Sequence, residues 1–171
     1  ELLGREGRGR VETRAGELCR ELERTLKSRP VSSDARADVI ETLLPEVVKH
    51  NSGLDDPLTD AVFAAANTRD HWKLVLKHVE PMAEREDAGC SRNMAMHIYL
   101  DKLRDEETYL RLRQASLRMG ADYYDLVRYW KSKGNLTKAE ETAREGLKKG
   151  EGRLDELRSF LGKTATTKTR R

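Results

Sequence analysis

The chain of 171 residues is long enough to bury a sizeable core, as one domain or as one run of repeats. Charged residues make up 37% of it, well above the usual quarter or so, and hydrophobic residues another 37%, the composition of a helical protein with solvated, charge-laced outer faces. No apolar run approaches the roughly 18 residues of a membrane span, and the two cysteines, Cys19 and Cys90, lie apart without partners at metal-ligand spacing, so the expectation is a soluble, cytoplasmic protein with no membrane association and with thiols serving as small buried hydrophobes.

Residues 1–9 are rich in Gly and Arg and read as a mobile lead-in. Helical periodicity starts near Val11 and carries Leu18, Cys19, Leu22 and Leu26 along one stripe until Pro30. Ser32-Ser33-Asp34 offers a cap for a second helix with Val39, Ile40, Leu43, Leu44, Val47 and Val48 inward, and Pro45 within it predicts a kink or a break. After the Asn51-Ser52-Gly53 turn, Asp55-Asp56-Pro57 is a strong helix start, acid at the cap and proline in the first turn. That third helix runs through Leu58, Val62, Phe63 and Ala66. A fourth begins near Thr68 and Asp70, buries Trp72, Val75, Leu76 and Val79, and stops at Pro81.

Ser91 caps a fifth helix to about Leu103. Asp105 opens a sixth to Met119, which Gly120 ends, and Asp122 opens a seventh to Lys133. Gly134-Asn135 turns the chain into an eighth helix over Thr137–Lys149, and a short ninth spans Leu154–Leu161. No stretch alternates at period two with β-branched residues, so the fold class is all-α. The net charge of +3 belongs to the end of the chain: residues 163–171 hold Lys163, Lys168, Arg170 and Arg171 and no acid, leaving 29 basic against 30 acidic side chains before them. With no large apolar residue to bury, 163–171 reads as a disordered basic tail. Glu1 opens the chain without a start methionine or a signal-like segment, and the chain reads as a piece of something longer.

Laid on one another, Gly134-Asn135 to Gly150 aligns with Arg104-Asp105 to Gly120 at an offset of thirty, matching Leu147 to Leu117 and Gly150 to Gly120. A unit recurring at this period reads as stacked helix pairs. Tyr123–Gly150 resembles a tetratricopeptide repeat: Trp130 stands at the helix A aromatic, Gly134-Asn135 at the inter-helix turn, Ala139 at the small crossing position, and Ala143 and Gly146 follow on helix B. Val127 and Glu151 depart from the repeat's small residue and terminal proline. Over about residues 70–161, the runs Tyr99–Leu110, Tyr123–Val127, Ala139–Leu147 and Leu154–Leu161 resemble the helical region of prokaryotic SWIM-type zinc finger proteins. The resemblance implies a helical region lying C-terminal to a small Cys/His zinc module. The Cys-x-Cys and Cys-x-His motif of that module is absent from this sequence, so no metal or nucleic-acid role passes to any residue here.

The expected architecture is therefore an α-α superhelix or solenoid of antiparallel, TPR-like helix pairs. It forms a single domain over 10–162, with the pair clearest at 121–150. No residue set specifies a reaction, cofactor or metal. His71 and His78, seven apart, lack the i,i+4 spacing and further ligands of a helical metal site and read as packed or surface residues. Ser91 has no evident base, Cys90 has no activating partner beyond its place near a cap, no acid is embedded in an apolar stretch, and no glycine loop cradles phosphate, so no enzyme activity is expected. The functional expectation is a non-catalytic interaction or scaffolding module for a protein or peptide partner, with Tyr123, Arg128 and Lys131 as accessible contacts. The alternative is accessory, weak nucleic-acid binding through the tail and a strip of Arg104, Arg111 and Arg118, with Lys131, Lys133 and Lys138 on the next pair. The sequence leaves the oligomeric state open.

Overall fold

The computed structural model describes residues 2–49, 56–83 and 89–169, with side chains over 14–49, 56–83 and 89–164. Every regular element among them is helical: α1 (Leu2–Ser28), α2 (Ser33–Lys49), α3 (Pro57–Ala65), α4 (Arg69–Ala83), α5 (Gly89–His97), a π-helical segment (Ile98–Leu103), α6 (Glu106–Ala115), α7 (Gly120–Ser132), α8 (Leu136–Lys149) and α9 (Asp155–Thr169). The all-α reading holds for the described residues, where the only strand-like feature is an isolated bridge between Met119 and Glu151. None of these helices is long and apolar enough to cross a membrane.

The chain divides into two compact units, Glu1–Glu106 and Glu107–Arg171, within the span read from the sequence as one domain over 10–162. Each unit has its own hydrophobic cluster, the physical basis of the division. Residues 2–9, read as a lead-in, form the first turns of α1, and residues 163–169, read as a tail, continue α9. Arg170 and Arg171 lie outside the described residues.

In the first unit, α1 and α2 pack on α3, and α4 on α2 and α5, around Leu26, Ile40, Leu44, Val62, Trp72, Val75, Met94 and Ile98. Asp56 caps α3 by accepting from the Leu58 N–H at 2.8 Å, and Pro57 occupies the first helical position, where its missing donor costs nothing. Of the two proline expectations, the kink or break at Pro45 is not a break, since α2 continues through it, and the stop at Pro81 fails, since α4 runs on to Ala83. Leu44 and Val47 flank Pro45 in full burial, and Ala83 is buried beyond Pro81, so packing outweighs the lost backbone bond.

Arg36 explains how three chain segments meet without exposed carbonyls. Buried, it donates from Nη2 to the Leu26 carbonyl at 2.6 Å and from Nη1 to the Ala64 and Ala65 carbonyls at 2.8 and 3.3 Å. One guanidinium thereby closes the C-terminal turns of α1 and α3, where helix dipoles favour a cation. His71, also buried, packs between Asn67 Oδ1 at 3.1 Å from Nδ1 and the Ser33 hydroxyl at 3.0 Å from Nε2. Ser91 is buried within α5 rather than capping it. The expected fifth helix extends to Leu103, but its last six residues are π-helical and end on Arg104 in the left-handed region at φ 57°.

In the second unit, α7 and α8 form a helical hairpin and α9 packs on both. Gly134, at φ +72°, and Asn135 make the turn, and Asn135 Oδ1 caps α8 by accepting from the Lys138 N–H at 3.0 Å. Ala139 and Ala143 are fully buried, and a side chain at Gly146 would meet Tyr123 Cβ at 2.6 Å, so these small residues set how closely the helices approach. Gly120 begins α7 rather than ending α6: its N–H donates to the Glu151 carbonyl at 2.8 Å, and a Cβ there would sit 2.2 Å from the Arg153 carbonyl oxygen.

Candidate functional site

The sequence that starts α7 also fixes where α9 starts. The Glu151 N–H donates to the Arg118 carbonyl at 2.9 Å while the Gly120 N–H donates back to Glu151, zipping the segments that lead into the two helices. Asp122 caps α7 by accepting from the Met119 N–H at 2.8 Å. Its other carboxylate oxygen takes Arg113 Nη1 at 3.0 Å, and Arg113 Nη2 reaches Asp125 at 2.9 Å. Arg113, on α6 and only 6% exposed, thus holds the first turns of α7 through two charge-assisted bonds. With α8 running back along α7 and α9 turning again, α7 and α9 run the same way from adjacent starts.

Between them lies an open cleft of about 320 Å³. Its walls are Tyr124 and Lys131 from α7 and Glu156, Ser159, Phe160 and Lys163 from α9, with Arg153 and Asp155 at the start of α9. The spacing is helical on both sides: Tyr124 and Lys131 are seven apart, and the α9 residues follow the i, i+3, i+4, i+7 rule of one face. The charges are unevenly compensated. Arg153 lies 3.3 Å from Glu156 and 3.8 Å from Asp155, and Arg158 lies 3.5 Å from Asp155. Lys131 is exposed and makes no ion pair among the described residues.

Of the three contacts expected from the sequence, the structure brings one to this cleft. Lys131 lines it; Arg128 is exposed but lies outside the lining; Tyr123 is 4% exposed and belongs to the core with Val127, Ala139, Ala143 and Leu157. Burial of Tyr123 follows from its register, since Tyr123, Val127 and Trp130 form the i, i+4, i+7 stripe facing α8. Tyr124 and Phe160 are the aromatic residues the sequence reading missed. Tyr124 was detectable, because Arg128 and Lys131 are its own i+4 and i+7 neighbours. Trp130 is half-buried, with Lys138 Nζ 4.5 Å from its ring centroid.

The expected arginine strip is not one helix face. Arg104 ends the π-helical segment, Arg111 lies on α6, and Arg118 lies in the connection after α6, where it pairs with Glu151 at 3.2 Å. Lys133 and Lys138 lie on either side of the α7–α8 turn, over the rings of Tyr129 and Trp130. Lys163 lines the cleft, while Lys168 falls in the last turn of α9, beyond the described side chains. Among the described residues, no group of three His, Cys, Asp or Glu side chains is arranged to hold a metal ion. Burial, with the charge of Asp56 beside it, pushes the Cys19 thiol above its ordinary pKa. No family model, curated protein or solved structure matches this chain.

Proposed function

We propose that the chain is a non-catalytic protein-interaction module whose second unit is a TPR-like repeat and whose binding site is the cleft between α7 and α9. The observation that carries this reading is the cleft itself, lined by two aromatic side chains from different helices and by Lys131, which makes no ion pair among the described residues. Aromatic residues flanked by charge are the residue types that anchor peptide partners. A volume near 320 Å³ is at the low end of the range of about 300–1,000 Å³ for ligand pockets. It admits a few side chains of an extended segment rather than a whole helix some 10 Å across. The sequence resemblance to the helical region of SWIM-type zinc finger proteins is what supports reading the module as part of a larger, zinc-finger-bearing protein.

Selection of a randomised phage-displayed heptapeptide library on the full chain tests the reading. Peptides enriched on the native chain and lost on Tyr124→Ala and Phe160→Ala variants, with helix content unchanged by circular dichroism, are the expected result. Failure to enrich any peptide sensitive to these substitutions would refute it. A second reading, accessory nucleic-acid binding, draws on Lys163 at the cleft and the basic residues that follow it. It predicts salt-sensitive DNA binding, followed by fluorescence anisotropy, that disappears when residues 163–171 are deleted.

A further inference from the structure

The packing of His71 in the first unit sets three side chains in the order that acyl transfer uses. Ser33 opens α2 and is exposed, and its hydroxyl lies 3.0 Å from His71 Nε2. On the far side of the ring, His71 Nδ1 lies 3.1 Å from Asn67 Oδ1. An amide oxygen only accepts, so in the neutral ring Nδ1 carries the proton and Nε2 presents its lone pair. The Ser33 carbonyl oxygen is 3.1 Å from the same nitrogen, but it too is an acceptor, which leaves the hydroxyl proton as the one Nε2 takes. Nucleophile, base and orienting group thus stand in line within hydrogen-bond reach.

Regular elements hold the set in place. Thr68 Oγ1 accepts from the His71 N–H at 3.2 Å and the Thr68 carbonyl from the Trp72 N–H at 3.1 Å, which fixes the first turn of α4. Arg36, one turn after Ser33, ties α2 to the Ala64 and Ala65 carbonyls just ahead of Asn67. His71 is 4% exposed, so packing holds its ring while Ser33 stays open to solvent. In the first turn of α2, Ser32 Oγ takes the Ala35 N–H at 3.3 Å, and the Ser33 and Asp34 N–H groups have no carbonyl partner within the helix. These two donors stand at the positive end of the helix dipole, where an oxyanion formed at Ser33 is stabilised.

We propose that Ser33 is an acyl-accepting nucleophile, with His71 as its general base and Asn67 as the positioning residue, and that its substrate class is the activated acyl ester or thioester. As Oγ bonds to the acyl carbon, the hydroxyl proton passes to Nε2. The bond from that carbon to the leaving oxygen or sulfur then breaks, and the leaving group takes the proton from Nε2. The products are an acyl-serine and a free alcohol or thiol. The step modifies the chain itself, once, and needs nothing from the cleft of the second unit.

Treatment of the full chain with p-nitrophenyl acetate, with acetylation of each serine followed by tandem mass spectrometry, tests the proposal. Ser33 should be acetylated on the order of a hundredfold faster than Ser28, Ser32 and Ser132, exposed serines of the same molecule that serve as references. His71→Gln should bring Ser33 down to the reference rate. Asn67→Leu should slow it at least about tenfold, whereas Asn67→Asp, whose carboxylate accepts the Nδ1 proton as the amide oxygen does, should keep it fast. Nitrogen-15 NMR of the histidine-labelled chain should find the His71 proton on Nδ1 in the wild type and on Nε2, facing the Ser33 carbonyl, in Asn67→Leu. Acetylation of Ser33 no faster than of Ser28 or Ser32 would overturn the proposal, as would a wild-type proton on Nε2 or a fast rate that survives His71→Gln. If His71→Gln unfolds by circular dichroism, the two variants at exposed Asn67 decide: equal loss in both overturns the assigned roles.

Discussion

Two glycines in helix interiors of the second unit have opposite structural meaning, and exchanging each for alanine separates them. Gly146 lies in α8 where an added Cβ would be 2.6 Å from Tyr123 Cβ, 2.8 Å from Tyr123 Cγ and 2.8 Å from Leu157 Cδ1. Ordinary carbon contacts are about 3.5–4.0 Å, so α8 must retreat from α7 by on the order of 1 Å. Tyr123 Cβ is bonded to the backbone and cannot relieve the clash by a rotamer change. A gap of that size forfeits a quarter to a half of the contact energy of the atoms it separates, here those joining Tyr123, Val127, Ala139, Ala143 and Leu157. We take about 3 kcal/mol for the overpacking and about 1 kcal/mol returned by alanine's helix propensity, a net loss of about 2 kcal/mol. Gly162, in α9, has nothing within 4 Å of an added Cβ, so Gly162→Ala keeps only the propensity gain, up to about 1 kcal/mol. Urea denaturation of the full chain in a Trp72→Phe background, where Trp130 is the remaining tryptophan, reads the second unit. Gly146→Ala should lower the midpoint and Gly162→Ala raise it. If Gly146→Ala left the midpoint unchanged or raised it, the close crossing of α7 and α8 would be wrong.

Arg36→Met removes the donor shared by the Leu26, Ala64 and Ala65 carbonyls and should destabilise the first unit by about 3 kcal/mol, read by Trp72 fluorescence in a Trp130→Phe background. Arg36→Lys should recover only part of it, because one ammonium cannot reproduce the planar fork. Arg113→Met leaves Asp122 and Asp125 without their shared cation and should destabilise the second unit by about 2–3 kcal/mol, with Asp122→Asn and Arg113→Met non-additive in a double-mutant cycle. Cys19 should react with a disulfide reagent at pH 8 more slowly than Cys90, which is partly exposed, because burial raises its thiol pKa. The sign follows: the fold favours the protonated thiol, so that contribution is complete below the ordinary thiol pKa and is lost as pH rises through the raised folded value. A Cys19→Ala variant should therefore lose less stability than the wild type between pH 8 and pH 10.

Legibility in the sequence followed the range of the forces involved. The start of α3 at Asp56-Pro57 and the turn at Gly134-Asn135 were readable because capping and positive φ are decided within four residues. Ala139 was readable as a crossing position through the resemblance to a tetratricopeptide repeat, and it is fully buried. At Pro45, Pro81 and Gly120 distant groups decide. Buried Leu44 and Val47 keep α2 helical through a residue with poor intrinsic preference, and the Arg153 carbonyl leaves Gly120 no room for a Cβ, turning an expected helix stop into a helix start. The boundary between the two units was hidden for the same reason, because separate hydrophobic clusters are a property of which helices pack together.

The burial of Tyr123 could have been read from the helical register alone. Adjacent residues on a helix lie about 100° apart, so Tyr123 and Tyr124 cannot serve the same face. Tyr123 continues to Val127 and Trp130, an apolar stripe with a free energy of burial to gain, whereas Tyr124, half-buried at the edge of the same cluster, continues to Arg128 and Lys131, whose charges are in water. Selecting Arg128 and Lys131 as accessible therefore implied Tyr124. Phe160 gave no comparable signal: between Leu157 and Leu161 it reads as another core residue, and only the return of α9 alongside α7 leaves it at the edge of the core, facing a cleft. A cleft assembled from two helices some thirty residues apart is encoded in the turns and close approaches that bring them together, so Gly134, Asn135, Gly146 and Gly120 shape it as directly as the side chains that line it.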